Sequence, residues 1–185
     1  MRLTPSRRIV SVRDYARSFT HGQHSQKNPK PMATEIERKY LVTSDRWRTG
    51  APGRRITQGY LSRDPDRTVR VRIVGDEAFM TVKGRTTGIS RTEIEFPLAR
   101  DHAEAMMQLC IEPWIDKTRY EVRHDGMIWE IDEFHGPNDG LVIAEIELPS
   151  EDTAVVLPDW VGLEVSNDFR YANSSLSEVP FQQWR

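Results

Sequence analysis

The chain has 185 residues, 37% hydrophobic and 29% charged, with a formal net charge of −2 at pH 7. This length suits one domain with a sizeable core. No stretch approaches the ~20 apolar residues of a membrane-spanning helix, so we expect no integral membrane protein and no membrane partner. The single cysteine, Cys110, excludes an internal disulfide bond and a cysteine-rich metal site. That usage fits the cytoplasm.

The positive charge is concentrated at the amino end. Residues 1–31 carry seven Lys or Arg and one acidic residue, giving +6, and the rest of the chain carries nineteen against twenty-seven, giving −8. The segment is polar and Arg-rich and has no sustained apolar period. We therefore expect a disordered basic extension over residues 1–31, with Met32 as the working start of one domain over 32–185. An organelle transit peptide is the alternative.

Strand signals dominate the chain from residue 35 onward. Period-two alternation or β-branched and aromatic enrichment predicts strands over residues 35–42, 59–63, 67–74, 78–84, 91–98, 117–124, 127–134 and 141–148. Turn sequences such as "RDPD" and "HGPNDG" separate them. Helices are predicted over 99–110 and over 150–157, the second from a Ser cap, early acids and a terminating proline. The predicted class is mainly β (α+β), an antiparallel sheet of about eight strands that can close into a barrel.

The polar faces of these strands carry unusual charges. Glu35, Glu37 and Lys39 share one face of the first strand, because successive side chains point to opposite faces. Charged pairs on one face recur in later strands: Arg70 with Arg72, Glu93 with Glu95, Lys117 with Arg119, and Glu145 with Glu147. Lys83 lies singly on the polar face of its strand. An ordinary solvated face is the simpler reading of any one strand. A barrel with a charged interior and an apolar exterior covered by the two helices explains all of them together.

Such an interior constrains its contents. Two like charges about 5 Å apart repel by roughly 3 kcal/mol at an effective dielectric constant of about 20, so clustered carboxylates must take up protons, bind cations or pair with bases. A pure ion-pair network is one solution, although buried pairs rarely repay their desolvation. The other is a compact polyanion gripped by Arg and Lys and bridged to the glutamates by Mg²⁺ or Mn²⁺. We expect no nucleic-acid partner, because the folded part is net negative.

Eight short motifs in order carry a family resemblance. They are "EIERKYLV", "QGYL", "VRVR", "TVKG", "TEIEF", "DKTRY", "WEIDEF" and "AEIEL". From Met32 to about Leu176 the chain resembles the CYTH superfamily, the triphosphate tunnel metalloenzymes, and most of all its short bacterial inorganic triphosphatases. The resemblance implies a closed antiparallel eight-stranded tunnel and a hydrolase that releases orthophosphate from inorganic triphosphate with Mg²⁺ or Mn²⁺.

The resemblance also implies roles for individual residues. The metal-side acids match Glu35, Glu37, Glu93, Glu95, Glu145 and Glu147. The phosphate-binding bases match Lys39, Arg70, Arg72, Lys83 and Arg119, with Arg91 and Arg123 as additions. The catalytic tyrosine and lysine match Tyr60 and Lys117. An unperturbed tyrosine titrates near pH ~10, and an adjacent ammonium lowers that pKa, so Lys117 would ready Tyr60 to accept a proton from the attacking water.

Three functions stay open at the level of sequence. The first is hydrolysis of inorganic triphosphate. The second is the chemistry of another triphosphate, either a class IV-type adenylate cyclase or a thiamine triphosphatase. The third is a non-catalytic module that binds polyphosphate or a nucleotide. A homodimer is compatible with each of them.

Overall fold

The computed structural model describes residues 33–184, so the predicted basic extension lies outside the described residues. Nine strands form one antiparallel sheet, in the order β5-β4-β3-β2-β6-β7-β8-β1-β9, and β5 also pairs with β1. The strands are β1 (Ala33–Val42), β2 (Arg54–Ser62), β3 (Arg67–Val74), β4 (Glu77–Gly84), β5 (Ser90–Pro97), β6 (Ile111–His124), β7 (Met127–Phe134), β8 (Val142–Glu147) and β9 (Val161–Glu164). The β5–β1 pairing closes β1 to β8 into the predicted eight-stranded barrel, whose interior is hereafter the tunnel.

Strand β1 closes the barrel because the two halves of one of its edges pair with different strands. Thr34 and Ile36 pair with β5, whereas Tyr40 and Val42 pair with β9 along the same edge. The opposite edge pairs with β8 from Glu37 onward. β1 is therefore shared by the barrel and the added strand, which the sequence analysis did not predict.

Two apolar clusters cover the outside of the barrel. One contains Tyr40, Trp129 and Trp160 and lies over β1, β7 and β8. The other contains Val71 and Met107 and joins β3 to helix α1 (Arg100–Met107). The apolar residues that alternate with the tunnel charges are thus buried outside the barrel, as predicted.

A third apolar cluster fills one end of the tunnel. It brings Ile115, Phe134 and Ile143 from the barrel strands together with Leu176. Leu176 ends the short helix α2 (Asn173–Leu176). This cluster is hereafter the floor. Short 3₁₀ helices complete the chain at Asp45–Trp47, Gly136–Asn138, Phe169–Tyr171 and Phe181–Gln183.

The predicted helix over 150–157 is wrong. The segment forms a turn and then irregular chain, and the Ser150 hydroxyl accepts from the Asp152 amide within the turn. Val155 then packs against the outer cluster that contains Trp129 and Trp160. An irregular segment, rather than a helix, therefore covers this side of the barrel. Over residues 33–184, no helix is long and apolar enough to cross a membrane.

Candidate active site

Side chains from all eight barrel strands line the tunnel, a cavity of about 180 Å³. Among the residues predicted from the sequence, the lining contains Tyr60, Lys39, Arg70, Arg72, Lys83, Arg119, Glu35, Glu37, Glu93, Glu95, Glu145 and Glu147. The added Arg91 also lines the tunnel. Lys117 lies behind this lining and is 2% exposed, whereas Arg123 is exposed and is not part of the lining. The structure therefore brings the predicted residues together apart from Arg123, while their individual roles stay predictions.

A basic side chain from β4 and another from β5 bridge the glutamates of neighbouring strands. The Lys83 ammonium lies 2.8 Å from Oε2 of Glu35 and 2.9 Å from Oε2 of Glu93. The Arg91 guanidinium lies 2.6 Å from Glu35 and 2.9 Å from Glu37. Burial lowers the pKa of Lys83 below its ordinary value. Each of these carboxylates therefore has a basic partner within hydrogen-bond distance, which relieves their mutual repulsion.

Strand β3, next to β4, carries arginines with unused donors. Arg72 donates to Oε2 of Glu95 at 2.8 Å, and Arg70 donates to the Thr81 hydroxyl at 3.1 Å. The Nε atoms of Arg70 and Arg72 are buried without a hydrogen-bond partner in the described part of the chain. Burial and the neighbouring Arg70 lower the pKa of Arg72 to about 10. Both guanidinium groups thus retain capacity for an anionic ligand.

Glu145 forms the centre of a second ion-pair network. Its carboxylate accepts from the Lys39 ammonium and, at 2.5 Å, from Nη2 of Arg119. Burial alone would raise the pKa of Glu145, but Lys39 and Arg119 hold it well below its ordinary value. Burial likewise opposes the charge on Lys39, and Glu145 and Glu37 outweigh it and raise the pKa of Lys39. The network keeps all three groups charged inside the barrel.

Two acidic residues of β7 belong to the site and were not predicted. Asp132 is fully buried, and its carboxylate accepts from Nε of Arg119 at 2.6 Å. Glu130 lines the tunnel and also accepts from Arg119. The signal was present in "WEIDEF", because both acids alternate with the buried Trp129 and Ile131. This Glu–Asp pair was nevertheless not among the predicted site residues.

Tyr60 and Lys117 are not in hydrogen-bond contact. The Lys117 ammonium is bonded to Oδ2 of Asp132 at 2.5 Å, and the Tyr60 oxygen accepts from the Gln58 amide at 3.3 Å. Burial raises the pKa of Tyr60 above its ordinary value, against the lowering effect of Arg70. Burial lowers the pKa of Lys117 to about 8, and the neighbouring arginine of β6 acts in the same direction. Among the described residues, the Tyr60 oxygen thus bonds to the Gln58 amide and not to the Lys117 ammonium.

A family model described as the CYTH domain matches residues 33–178. The chain belongs to the CYTH domain family.

Relatives of this CYTH chain carry consistent names. An inorganic triphosphatase of Acetivibrio thermocellus is 45% identical over 155 residues, which cover 83% of this chain and 99% of the relative. An inorganic triphosphatase of Nitrosomonas europaea is 38% identical over 150 residues, covering 78% of this chain and 97% of the relative. A crystal structure of an inorganic triphosphatase has a TM-score of 0.59 and 34% identity, and covers 77% of this chain and 97% of that one.

Membership in the CYTH family implies a divalent metal, and the donor set of the tunnel fits one. Carboxylate oxygens are the ligands that hard divalent cations prefer. Glu147 lines the tunnel beside its register partner Glu37, and no ion pair holds Glu147 within residues 33–184. In the same residues, no three acidic, histidine or cysteine side chains converge closely enough to form a ready metal site. A cation would therefore draw on carboxylates that now bind lysine and arginine.

Proposed function

We propose that this CYTH chain is a metal-dependent hydrolase of inorganic triphosphate that releases orthophosphate. The observation that carries the proposal is one closed tunnel lined by both kinds of group that a metal–polyphosphate complex requires. The similarity to inorganic triphosphatases over most of both chains supports the same conclusion.

The charge of the lining favours a polyanion that arrives with cations. Among the described residues, seven glutamates and six lysines or arginines line the tunnel, a net charge of −1. A triphosphate carries several negative charges, so its entry alone would leave a large uncompensated charge in a partly buried site. Divalent cations that enter with it offset this charge. We propose Mg²⁺ or Mn²⁺, since both suit oxygen ligands.

Binding is proposed to proceed by an exchange of partners. The lysines and arginines release glutamates and donate to phosphate oxygens, which form charge-assisted hydrogen bonds of the same kind. The proposed phosphate-binding residues are Lys39, Arg70, Arg72, Lys83 and Arg119. The released glutamates then hold the cations, and the proposed set is Glu35, Glu37, Glu93, Glu95, Glu145 and Glu147. A bound divalent cation supplies charge neutralisation and polarisation of the phosphoryl oxygens.

The lining also favours an inorganic substrate over one with an organic group. Apart from the charged residues, the described lining consists of Tyr60, Thr68, Ala172, Asn173 and Ser174. A nucleoside or thiamine group needs an apolar or aromatic surface on which to pack, and Tyr60 belongs to the floor cluster. Adenylate cyclase and thiamine triphosphatase activities are therefore less well supported.

Tyr60 and Lys117 are proposed as the catalytic residues because of the family resemblance. Tyr60 lines the tunnel, and its hydroxyl is proposed to contact a bound phosphate. Lys117 lies behind Arg119, and both side chains pair with the same Asp132 carboxylate. In this arrangement the ammonium supports the electrostatics of the lining.

One assay tests the proposed function. Orthophosphate release is measured from inorganic triphosphate, ATP and thiamine triphosphate, each with Mg²⁺, with Mn²⁺ and with a chelator. We expect fast, metal-dependent release from inorganic triphosphate and slow release from the other two. Cyclic AMP formation from ATP would favour a cyclase, and metal-independent binding without turnover would favour a binding module. A Glu37→Gln/Glu147→Gln variant provides the control, since it keeps the volume of the tunnel and removes two proposed ligands.

A further inference from the structure

A buried amide lies directly beside the tyrosine of the tunnel. Gln58 is fully buried on β2, and its Nε2 donates to the Tyr60 oxygen at 3.3 Å. The two residues share the inner face because Gly59, between them, points outward. A Cβ atom at Gly59 would lie 2.6 Å from Cβ of Cys110 at the end of the α1 segment, so the strand approaches that segment too closely for a side chain. β2 thus directs Gln58 and Tyr60 to the same side.

The backbone around Tyr60 has irregular pairing on both edges of β2, which sets the direction of the ring. The β2–β6 register shifts between Gln58 and Tyr60, and the β2–β3 register shifts between Tyr60 and Ser62. Bulges of this kind redirect individual side chains and occur beside active sites. The ring joins the floor cluster while the residue still lines the tunnel. Only the orientation of the hydroxyl then remains to be fixed.

The hydrogen bond from Gln58 fixes that orientation. The phenol oxygen accepts from an N–H, so its own hydrogen must point away from the amide. No described residue accepts this hydrogen, and Tyr60 opens only toward the tunnel. The Gln58 Oε1 atom is buried without a partner in the described residues. Turning the amide over would leave two N–H donors unpaired, instead of one N–H and the carbonyl oxygen, and an unpaired buried N–H is the rarer of the two defects.

Lys117, the predicted catalytic partner of Tyr60, is bonded to another residue. Lys117 Nζ is bonded to Oδ2 of Asp132, which also accepts from Nη2 of Arg119. The remaining Asp132 oxygen accepts from Nε of Arg119. The ammonium is therefore held on the β7 side of the barrel by a carboxylate that is itself fully paired. In residues 33–184 the hydrogen-bond partner of the Tyr60 oxygen is Gln58, not Lys117.

We propose that Gln58 is a positioning residue that holds Tyr60 as a hydrogen-bond donor aimed at a phosphoryl oxygen in the tunnel. This inference rests on the proposed triphosphatase function and changes the role of the tyrosine within it. Tyr60 then stabilises charge that develops on the phosphate and does not act as a phenolate base. Burial, which raises the pKa of Tyr60, keeps the hydroxyl protonated at neutral pH.

A double-mutant cycle on turnover tests the pairing. Gln58→Met removes the donor and nearly conserves volume, and Tyr60→Phe removes the hydroxyl. We expect Gln58→Met to lower kcat about tenfold with little change in KM, and the double variant to be no slower than Tyr60→Phe alone. Independent, multiplicative losses would overturn the proposal, because Gln58 would then act without the tyrosine.

A spectroscopic test does not depend on turnover. The ¹³Cζ signal of Tyr60, assigned by its loss in Tyr60→Phe, is recorded at neutral pH without substrate. We expect Gln58→Met to shift this signal and Lys117→Met to leave it in place; the reverse result overturns the inference. In the unaltered chain, a nuclear Overhauser contact between the Gln58 amide hydrogens and the Tyr60 ring is expected, and its absence counts against the pairing even where a variant fails to fold. If the spectra agree but inorganic triphosphate is not hydrolysed, only the proposed function fails.

Discussion

The Lys83 ammonium lies 2.8 Å from Oε2 of Glu35 and so joins β4 to β1 across the intervening strand β5. Both side chains are largely buried, and a third group, Glu93, shares the same ammonium. A phosphate that binds Lys83 must displace these carboxylates, and the displaced carboxylates need a cation. In the proposed function, phosphate binding and metal binding would therefore be coupled through this one contact.

Replacing Lys83 should weaken the binding of inorganic triphosphate more than it slows turnover of the bound substrate. Lys83→Met removes a phosphate donor and leaves Glu35 and Glu93 to repel both each other and the substrate. We expect KM for inorganic triphosphate to rise about tenfold or more, which corresponds to about 1.4 kcal/mol. Initial rates at saturating Mg²⁺ measure this change.

Arg85 offers a matched control two residues further along the chain. Its guanidinium pairs with Asp66 at the surface, where the arginine side chain is 73% exposed. Exposed pairs contribute little, so Arg85→Met should leave KM within about twofold of the unaltered chain. An equal rise in KM for both variants would mean that long-range charge, and not contact with Lys83, governs binding.

Two neighbouring glutamates of β8 should respond differently to neutralisation. Glu145→Gln removes the acceptor of Lys39 and Arg119 and should destabilise the metal-free chain by about 3 kcal/mol, since it breaks buried pairs. Glu147→Gln removes a carboxylate that has no ion pair within residues 33–184, and its metal-free stability should change by less than about 0.5 kcal/mol. Urea denaturation in the presence of a chelator measures both.

Glu147→Gln should nevertheless alter the dependence on metal. If Glu147 supplies a ligand oxygen, the Mg²⁺ concentration at half-maximal rate should rise about tenfold. An unchanged requirement for Mg²⁺ would remove Glu147 from the proposed ligands without affecting the others.

The outward direction of the apolar residues can be tested on β7 and β8. Ile146 is fully buried in the outer cluster with Trp129, and Ile146→Ala should destabilise the chain by about 2–5 kcal/mol. Ile128 lies on β7 with 42% of its surface exposed, so Ile128→Ala should cost less than about 1 kcal/mol. Thermal denaturation of both variants provides the comparison. Equal costs would contradict a buried exterior on these strands.

Much of the fold follows from alternation in the sequence. A strand such as β1 can hold Glu37 and Lys39 on one face and Tyr40 on the other only if both faces are covered, and a closed barrel achieves this. The strand limits were less predictable. β2 begins at Arg54 and β6 at Ile111, each before the predicted start, because pairing with neighbours extends strands beyond the segment with clear alternation.

The failures have local causes. Ser150 and the acids after it are helix-start signals, and they were outweighed by packing of Val155 and Trp160 on the barrel. The alternation in "WEIDEF" places Asp132 on the charged face, but its pairing with Lys117 and Arg119 could not be predicted, because a cross-strand partner is fixed by register rather than by spacing along the chain. Gln58 was missed because a lone amide in "QGYL" carries no charge pattern.

Lys117 should make the stability of the chain depend on pH above neutrality. Burial lowers its pKa to about 8, whereas in the unfolded chain it stays near its ordinary value of 10.5. Between these values the unfolded chain binds more protons than the folded one, so the free energy of unfolding rises with pH. The free energy of unfolding of the unaltered chain, minus that of Lys117→Met, should increase by about 2 kcal/mol from pH 7 to pH 10.

Lys117→Met serves as the reference because it keeps the Asp132–Arg119 pair and all other titrating groups, so the difference between the two urea-denaturation series isolates the ammonium. If Asp132 instead held the pKa of Lys117 above its ordinary value, the difference would stay flat to pH 10 and then fall. That outcome would mean that the attraction of Asp132 outweighs burial and the repulsion of Arg119. The buried ammonium would then stabilise the folded chain, and the Asp132 carboxylate would be the dominant influence on the pKa of Lys117.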